Sequence, residues 1–217
     1  MKLVRPVLVA AVGAGLVFSG SAIAKPKPVC NLVKDAAGDS SVYPAGGFKD
    51  DALDIVSADV ASNKQSITAV LRVKKLAKSS NYAPYGLNWT VNFTIDGTEF
   101  SLAGHSTAIG SIIFDAAYQS TTGGSLYGPG TTGVFDTAKN EVRITVPVDL
   151  LAAQAGVTNG KTKITDINGR TGGEVLVPEP TGTFGDTLFS DSEFDADSTD
   201  TGASYTAGAA SCVKVGA

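Results

Sequence analysis

Between Leu53 and Val73 the chain reads as two runs of period-two alternation around a short polar break. Val56, Ala58 and Val60 alternate with polar neighbours, as do Ile67, Ala69, Leu71 and Val73, and Ser62-Asn63-Lys64 separates the two runs. Successive side chains of a strand point to opposite faces, so the pattern predicts an antiparallel hairpin with one face buried. Such a hairpin is not stable alone and needs further strands over its apolar side. The rest of the chain supplies them. Leu87, Trp89, Val91, Phe93 and Ile95 fall on one face of a strand, with Asn88, Thr90, Asn92 and Thr94 on the other. Asp96-Gly97 is a two-residue hairpin turn, and Phe100 and Leu102 continue on its return. Residues 109–118 form a further strand, and a loop rich in Gly, Ser and Thr runs from Gln119 to Thr132. Val134-Phe135 and the alternating Val142, Ile144 and Val146 flank a turn at 137–140, and Pro147 ends the second of these strands. Asp149 is placed to cap a single helical turn over Leu150–Gln154, which Gly156 stops. Residues 162–170 and 174–177 read as weaker strands. The expected architecture is all-β: an antiparallel β-sandwich with at most one short helical turn.

The first residues read as an export signal. Lys2 and Arg5 precede an apolar run from Val7 to Phe18, and Ala22-Ile23-Ala24 is a small-x-small cleavage site. Residues 1–24 are therefore expected to be a signal peptide, and residues 25–217 a single domain. The apolar run is short for a bilayer span, and no later stretch is long and apolar enough either. The expectation is a secreted, extracellular protein, or one held at a bacterial cell surface. Removing 24 of 217 residues leaves 193, enough for one domain with a substantial core. The loss of Lys2 and Arg5 moves the net charge from −4 to −6. That acidic balance argues against nucleic acid and anionic membrane surfaces as partners.

Cys30 and Cys212, the only cysteines, both survive cleavage. An even pair in an exported protein is most simply one disulfide, and the wide spacing lacks the proximity that redox motifs use. Such a bridge would bring the first and last strands together.

Residues 35–54 carry Asp35-Ala-Ala-Gly-Asp39, then Tyr43-Pro44-Ala45-Gly46-Gly47, then Asp50-Asp51-Ala52-Leu53-Asp54, leading into the hairpin. The pattern Asp-x-Ala-Gly-Asp, a loop, and Leu-Asp-Ile followed by an alternating strand resembles certain secreted jelly-roll-type sandwiches. These are the DOMON-like domains related to family 9 carbohydrate-binding modules. The similarity is best over residues 30–75 and looser over 87–150, where Gly133-Val134-Phe135-Asp136 precedes a strand ending in Val146-Pro147. Ser204-Tyr205-Thr206-Ala207-Gly208, running into Ser211-Cys212-Val213, resembles a closing strand. Domains of this kind bind sugars, haem or only structural calcium, so the resemblance implies one of these ligands.

Two acidic groups stand at the ends of the domain: Asp35, Asp39, Asp50, Asp51 and Asp54, and Asp186, Asp191, Glu193, Asp195, Asp197 and Asp200. Calcium takes six to eight oxygen ligands, and the resemblance together with this chemistry makes Asp35, Asp39 and Asp54 the candidate calcium ligands. The competing reading is that aspartates are turn formers solvating loops, and for the second group that reading leads. The disulfide would let the two groups meet. Carbohydrate binding would use exposed aromatic faces. Trp89 is in phase with the core, which leaves Tyr82, Tyr85, Tyr118 and Tyr127 as candidate ligand-binding residues. Catalysis has few resources: His105 is the single histidine, and no Gly-x-Ser-x-Gly surrounds a serine. Haem is disfavoured because Met1 leaves with the signal peptide, and only His105 remains as a soft axial ligand. The leading expectation is a secreted, non-catalytic binding module, calcium-stabilised, with a polysaccharide or cell-wall glycan as the implied ligand. A structural or protein-interaction domain of the cell exterior comes second, and a hydrolase third.

Overall fold

The computed structural model describes residues 27–41, 49–81, 83–119, 130–152, 155–178, 189–200 and 202–216. The expected signal peptide, Tyr82 and Tyr127 lie outside these residues. Among the described residues eleven strands and one helical turn follow in chain order: β1 Val33–Lys34, β2 Ile55–Ser62, β3 Ser66–Val73, β4 Gly86–Ile95, β5 Thr98–Ser106, β6 Ile112–Gln119, β7 Thr132–Asp136, β8 Glu141–Pro147, α1 Val148–Ala152, β9 Lys163–Pro178, β10 Phe189–Ser198 and β11 Ala203–Thr206. They make two antiparallel sheets, one ordered β1-β2-β3-β8-β7 and the other β10-β9-β4-β5-β6, with β11 also paired to β9. One apolar core lies between them, as the alternation requires.

The β2–β3 hairpin turns at Asn63, whose Oδ1 accepts the N–H groups of Gln65 (2.7 Å) and Ser66 (2.8 Å). Ala58, Val60, Ile67, Ala69 and Leu71 are fully buried against β4, where Leu87, Trp89, Val91, Phe93 and Ile95 share the inner face. Asp96 (φ 49°) and Gly97 (φ 81°) both adopt the left-handed conformation that a tight β4–β5 turn demands. Two expectations for the hairpin change. A bulge between Ile55 and Ser57 puts Ile55 inside and turns Val56 outward, leaving Val56 38% exposed, because one extra residue in a strand inverts the phase before it. The opposite face is buried too: Ser57, Asp59, Ala61, Thr68 and Val70 are each nearly inaccessible.

The chain ends supply that cover. After β11 the chain leaves the six-stranded sheet and crosses to the outer surface of the other. There Val213 packs on Ala61 and Val70, Lys214 C=O accepts the Arg143 guanidinium (2.8 Å), and Gly216 N–H donates to Thr68 Oγ1 (3.2 Å). Beside it, Arg72 bridges Asp59 (2.6 Å) and Glu141 (3.2 Å), and Glu141 also takes Arg143 (2.6 Å). Asp59 further accepts the Leu32 N–H (2.8 Å), so its buried charge is fully committed. The disulfide Cys30–Cys212 locks the arrangement. It joins the terminal segments, where Val29 and Ser211 form a parallel bridge, rather than the first and last strands, since β1 and β11 belong to different sheets.

At the other edge of the sandwich, Gly133 of β7 lies on the Phe114 ring of β6; a Cβ there would fall 2.3 Å from a ring carbon, so only glycine permits the contact. The weaker strands expected at 162–170 and 174–177 are one continuous strand, β9, pairing with β4, β10 and β11. Residues 189–198, expected as an acidic solvated loop, form strand β10. The helical turn begins at Val148, so Asp149 sits inside it, where its Oδ1 accepts the Leu150 N–H (3.1 Å).

The bridge closes a separation of 182 residues, which on the chain-entropy account contributes about 5 kcal/mol through the unfolded state. Denaturant titration of the oxidised protein against a Cys30→Ser/Cys212→Ser variant should show a loss of that order.

Candidate functional site

The Asp35–Asp39 turn is held by a carboxylate beneath it. Asp54, buried just before β2, accepts the Gly38 N–H through both oxygens (2.8 and 2.7 Å). Gly38 has φ 99°, a conformation that glycine adopts without strain, so the Gly of Asp-x-Ala-Gly-Asp is what lets the turn close over Asp54. The Lys74 ammonium reaches Asp51 (2.7 Å) and Asp54 (3.6 Å), and the Lys74 N–H donates to Asp54 C=O (2.8 Å). Asp35 N–H donates to Val56 C=O (3.1 Å), fixing the other end of the turn to β2.

This geometry separates the three expected ligands. Asp35 and Asp39 come together, and the third carboxylate beside them is Asp197 of β10: the three offer oxygens all within 4.8 Å of one another. Asp54 stands below, committed to Gly38 and facing Lys74. The two acid-rich ends of the chain therefore meet, but through a strand. A bulge in β10 between Asp195 and Asp197 aims Asp197 at the start of β2, where its Oδ2 accepts the Ile55 N–H (2.7 Å). Sequence reasoning assigned Asp197 to a solvated group. The signal it missed was period-two spacing, because Asp191, Glu193, Asp195 and Asp197 alternate like strand residues.

Electrostatics make the cluster costly without a cation. Burial, then Asp39 and to a smaller extent Asp54 and Asp200, push the Asp35 carboxyl above the usual range, with the Ala36 N–H opposing them. Asp35 Oδ2 is buried without a hydrogen-bond partner among the described residues. Burial raises Asp197 to about 6, with Asp35 and Asp39 adding to the shift and the Ile55 N–H opposing it. An all-oxygen set of three carboxylates suits a hard cation, and calcium completes its shell from loop carbonyls and water. The residues present thus fit the ion that the sequence resemblance implies, with Asp197 in place of Asp54.

Of the four candidate tyrosines, Tyr85 and Tyr118 are among the described residues. Tyr85 lies 41% exposed at the start of β4. Tyr118 sits half-buried on β6, packed against the core with its ring 6.3 Å from that of Phe100. Trp89 is fully buried, and its indole N–H donates to Ala52 C=O (2.8 Å). His105 belongs to strand β5, with Nε2 3.0 Å from an oxygen of Asp115 on β6. A polar cavity opens at the same end of the sandwich as the carboxylates, lined by Lys49, Asp50, Asp51, Lys75, Ser79 and Asn81 among others. Among the described residues no helix is long and apolar enough to cross a membrane. No protein-family model matches the chain, and no curated protein sequence matches it.

A carboxyl group whose folded pKa lies above its unfolded value binds its proton more tightly when folded. Its contribution to stability is full below the unfolded pKa near 3.8 and is lost as pH rises through about 6. In chelator, the melting temperature of the wild-type chain relative to an Asp197→Asn variant should therefore fall as pH is raised between those values. Saturating calcium should reverse the trend, because protons and metal compete for the same oxygens.

Proposed function

We propose that this chain is an exported, non-catalytic binding module, completed by a calcium ion on Asp35, Asp39 and Asp197, that recognises an extracellular polysaccharide. The observation that carries the reading is the convergence of these three carboxylates, with one Asp35 oxygen buried and unpartnered among the described residues. The ion would tie the turn before β2 to β10, cancelling repulsion at a point where two distant segments must touch. The disulfide supports an oxidising compartment. The polysaccharide comes from the sequence resemblance and gains from the open polar cavity beside the acidic turn. Tyr118 packing into the core favours the second reading, a protein-interaction domain, because it removes one member of the expected aromatic platform.

At calcium a hundredfold above its dissociation constant, linkage raises stability by about 2.7 kcal/mol, roughly 5–10 °C in melting temperature for a domain of this size. Calorimetry of the mature chain should show that rise, and Asp39→Asn should abolish most of it. An unchanged transition at millimolar calcium refutes the metal site. Sedimentation with insoluble polysaccharides tests the ligand, and a chain left wholly in the supernatant across neutral and acidic polymers refutes the glycan reading.

A further inference from the structure

The cavity beside the carboxylate cluster is built from two cross-tied loops. Residues 49–52 form one wall and residues 75–81 the other. The Lys75 N–H donates to Asp51 C=O (2.9 Å), Asp50 accepts the Ala52 N–H (2.9 Å) and the Ser80 hydroxyl, and Trp89 anchors Ala52 from the core. Its volume is about 440 Å³, within the range of small-ligand sites and far larger than one anion needs.

The charges on its walls are unequal in availability. Asp50 is occupied by the Ala52 N–H and Ser80, and Asp51 by Lys74. Lys49 donates to Gly38 C=O and keeps further N–H groups for a ligand. The Lys75 ammonium makes no ion pair or hydrogen bond among the described residues, nor do the Ser79 hydroxyl and the Asn81 amide with their own donors. In a chain with a net charge of −4, this recess therefore offers uncommitted positive charge beside hydroxyl and amide donors.

We propose that this cavity binds a carboxylate-bearing sugar, a uronic-acid residue of an acidic polysaccharide, with Lys75 and Lys49 holding the carboxylate and Ser79 and Asn81 the ring hydroxyls. The inference rests on the glycan reading and narrows it to acidic polymers.

The test is titration calorimetry of the mature, calcium-loaded chain with three soluble probes: trigalacturonate, cellotriose and succinate. Trigalacturonate should bind, weaken in about 0.5 M salt as screening predicts, and exceed both other probes at least tenfold. Lys75→Glu should weaken it at least tenfold at an unchanged melting temperature, and Lys75→Arg should retain it. Equal binding of cellotriose, or indifference of trigalacturonate binding to Lys75→Glu, overturns this site while leaving the glycan reading in place. Succinate binding as tightly as trigalacturonate reduces the cavity to a simple anion site and overturns the sugar assignment. No binding of either sugar, with no retention on insoluble polymers, overturns both.

Discussion

Burial of both faces of the β2–β3 hairpin is the constraint on which the other features rest. Its inner face builds the core against β4, which the alternation of Ile67, Ala69 and Leu71 requires. Its outer face carries Asp59 and Thr68, polar groups that are costly to bury without partners. Arg72, the terminal segment around Val213 and the disulfide answer that cost together. The chain ends are thus part of the packed fold and not appendages to it.

The same hairpin positions the acidic site. Its first strand begins with a bulge, which leaves the Ile55 N–H free for Asp197 and the Val56 carbonyl free for Asp35. Asp54, one residue earlier, supplies the acceptor that shapes the turn. Backbone groups released at the hairpin's edge therefore gather three side chains from two remote segments. A cation at that point would act as a further crosslink, alongside the sulfur bridge at the opposite margin of the hairpin.

What could be read from the sequence was what period and turn chemistry encode locally. The inner face of β4, the Asp96–Gly97 turn, the strand around Ile144 and the cysteine pair all follow from such signals. β10 did not, because aspartate and serine have poor strand propensity and their alternation was hidden by composition. The buried outer face of the hairpin was equally hidden, since its cover comes from residues more than a hundred positions away. That Asp197, and not Asp54, stands beside Asp35 and Asp39 was hidden for a related reason. Sequence proximity favoured Asp54, whereas a bulge in a distant strand decides which carboxylate faces Asp35 and Asp39.

Strand β9 pairs with β4 along most of its length, with β10 beyond Gly169, and with β11 near its start. One strand thus serves as the common ruler for three neighbours, including the one that carries Asp197. An insertion or deletion within it would move the carboxylate off its partners and the closing strand off the core in a single step. Variation in length should therefore be tolerated in the connectors of this sandwich and rejected in β9.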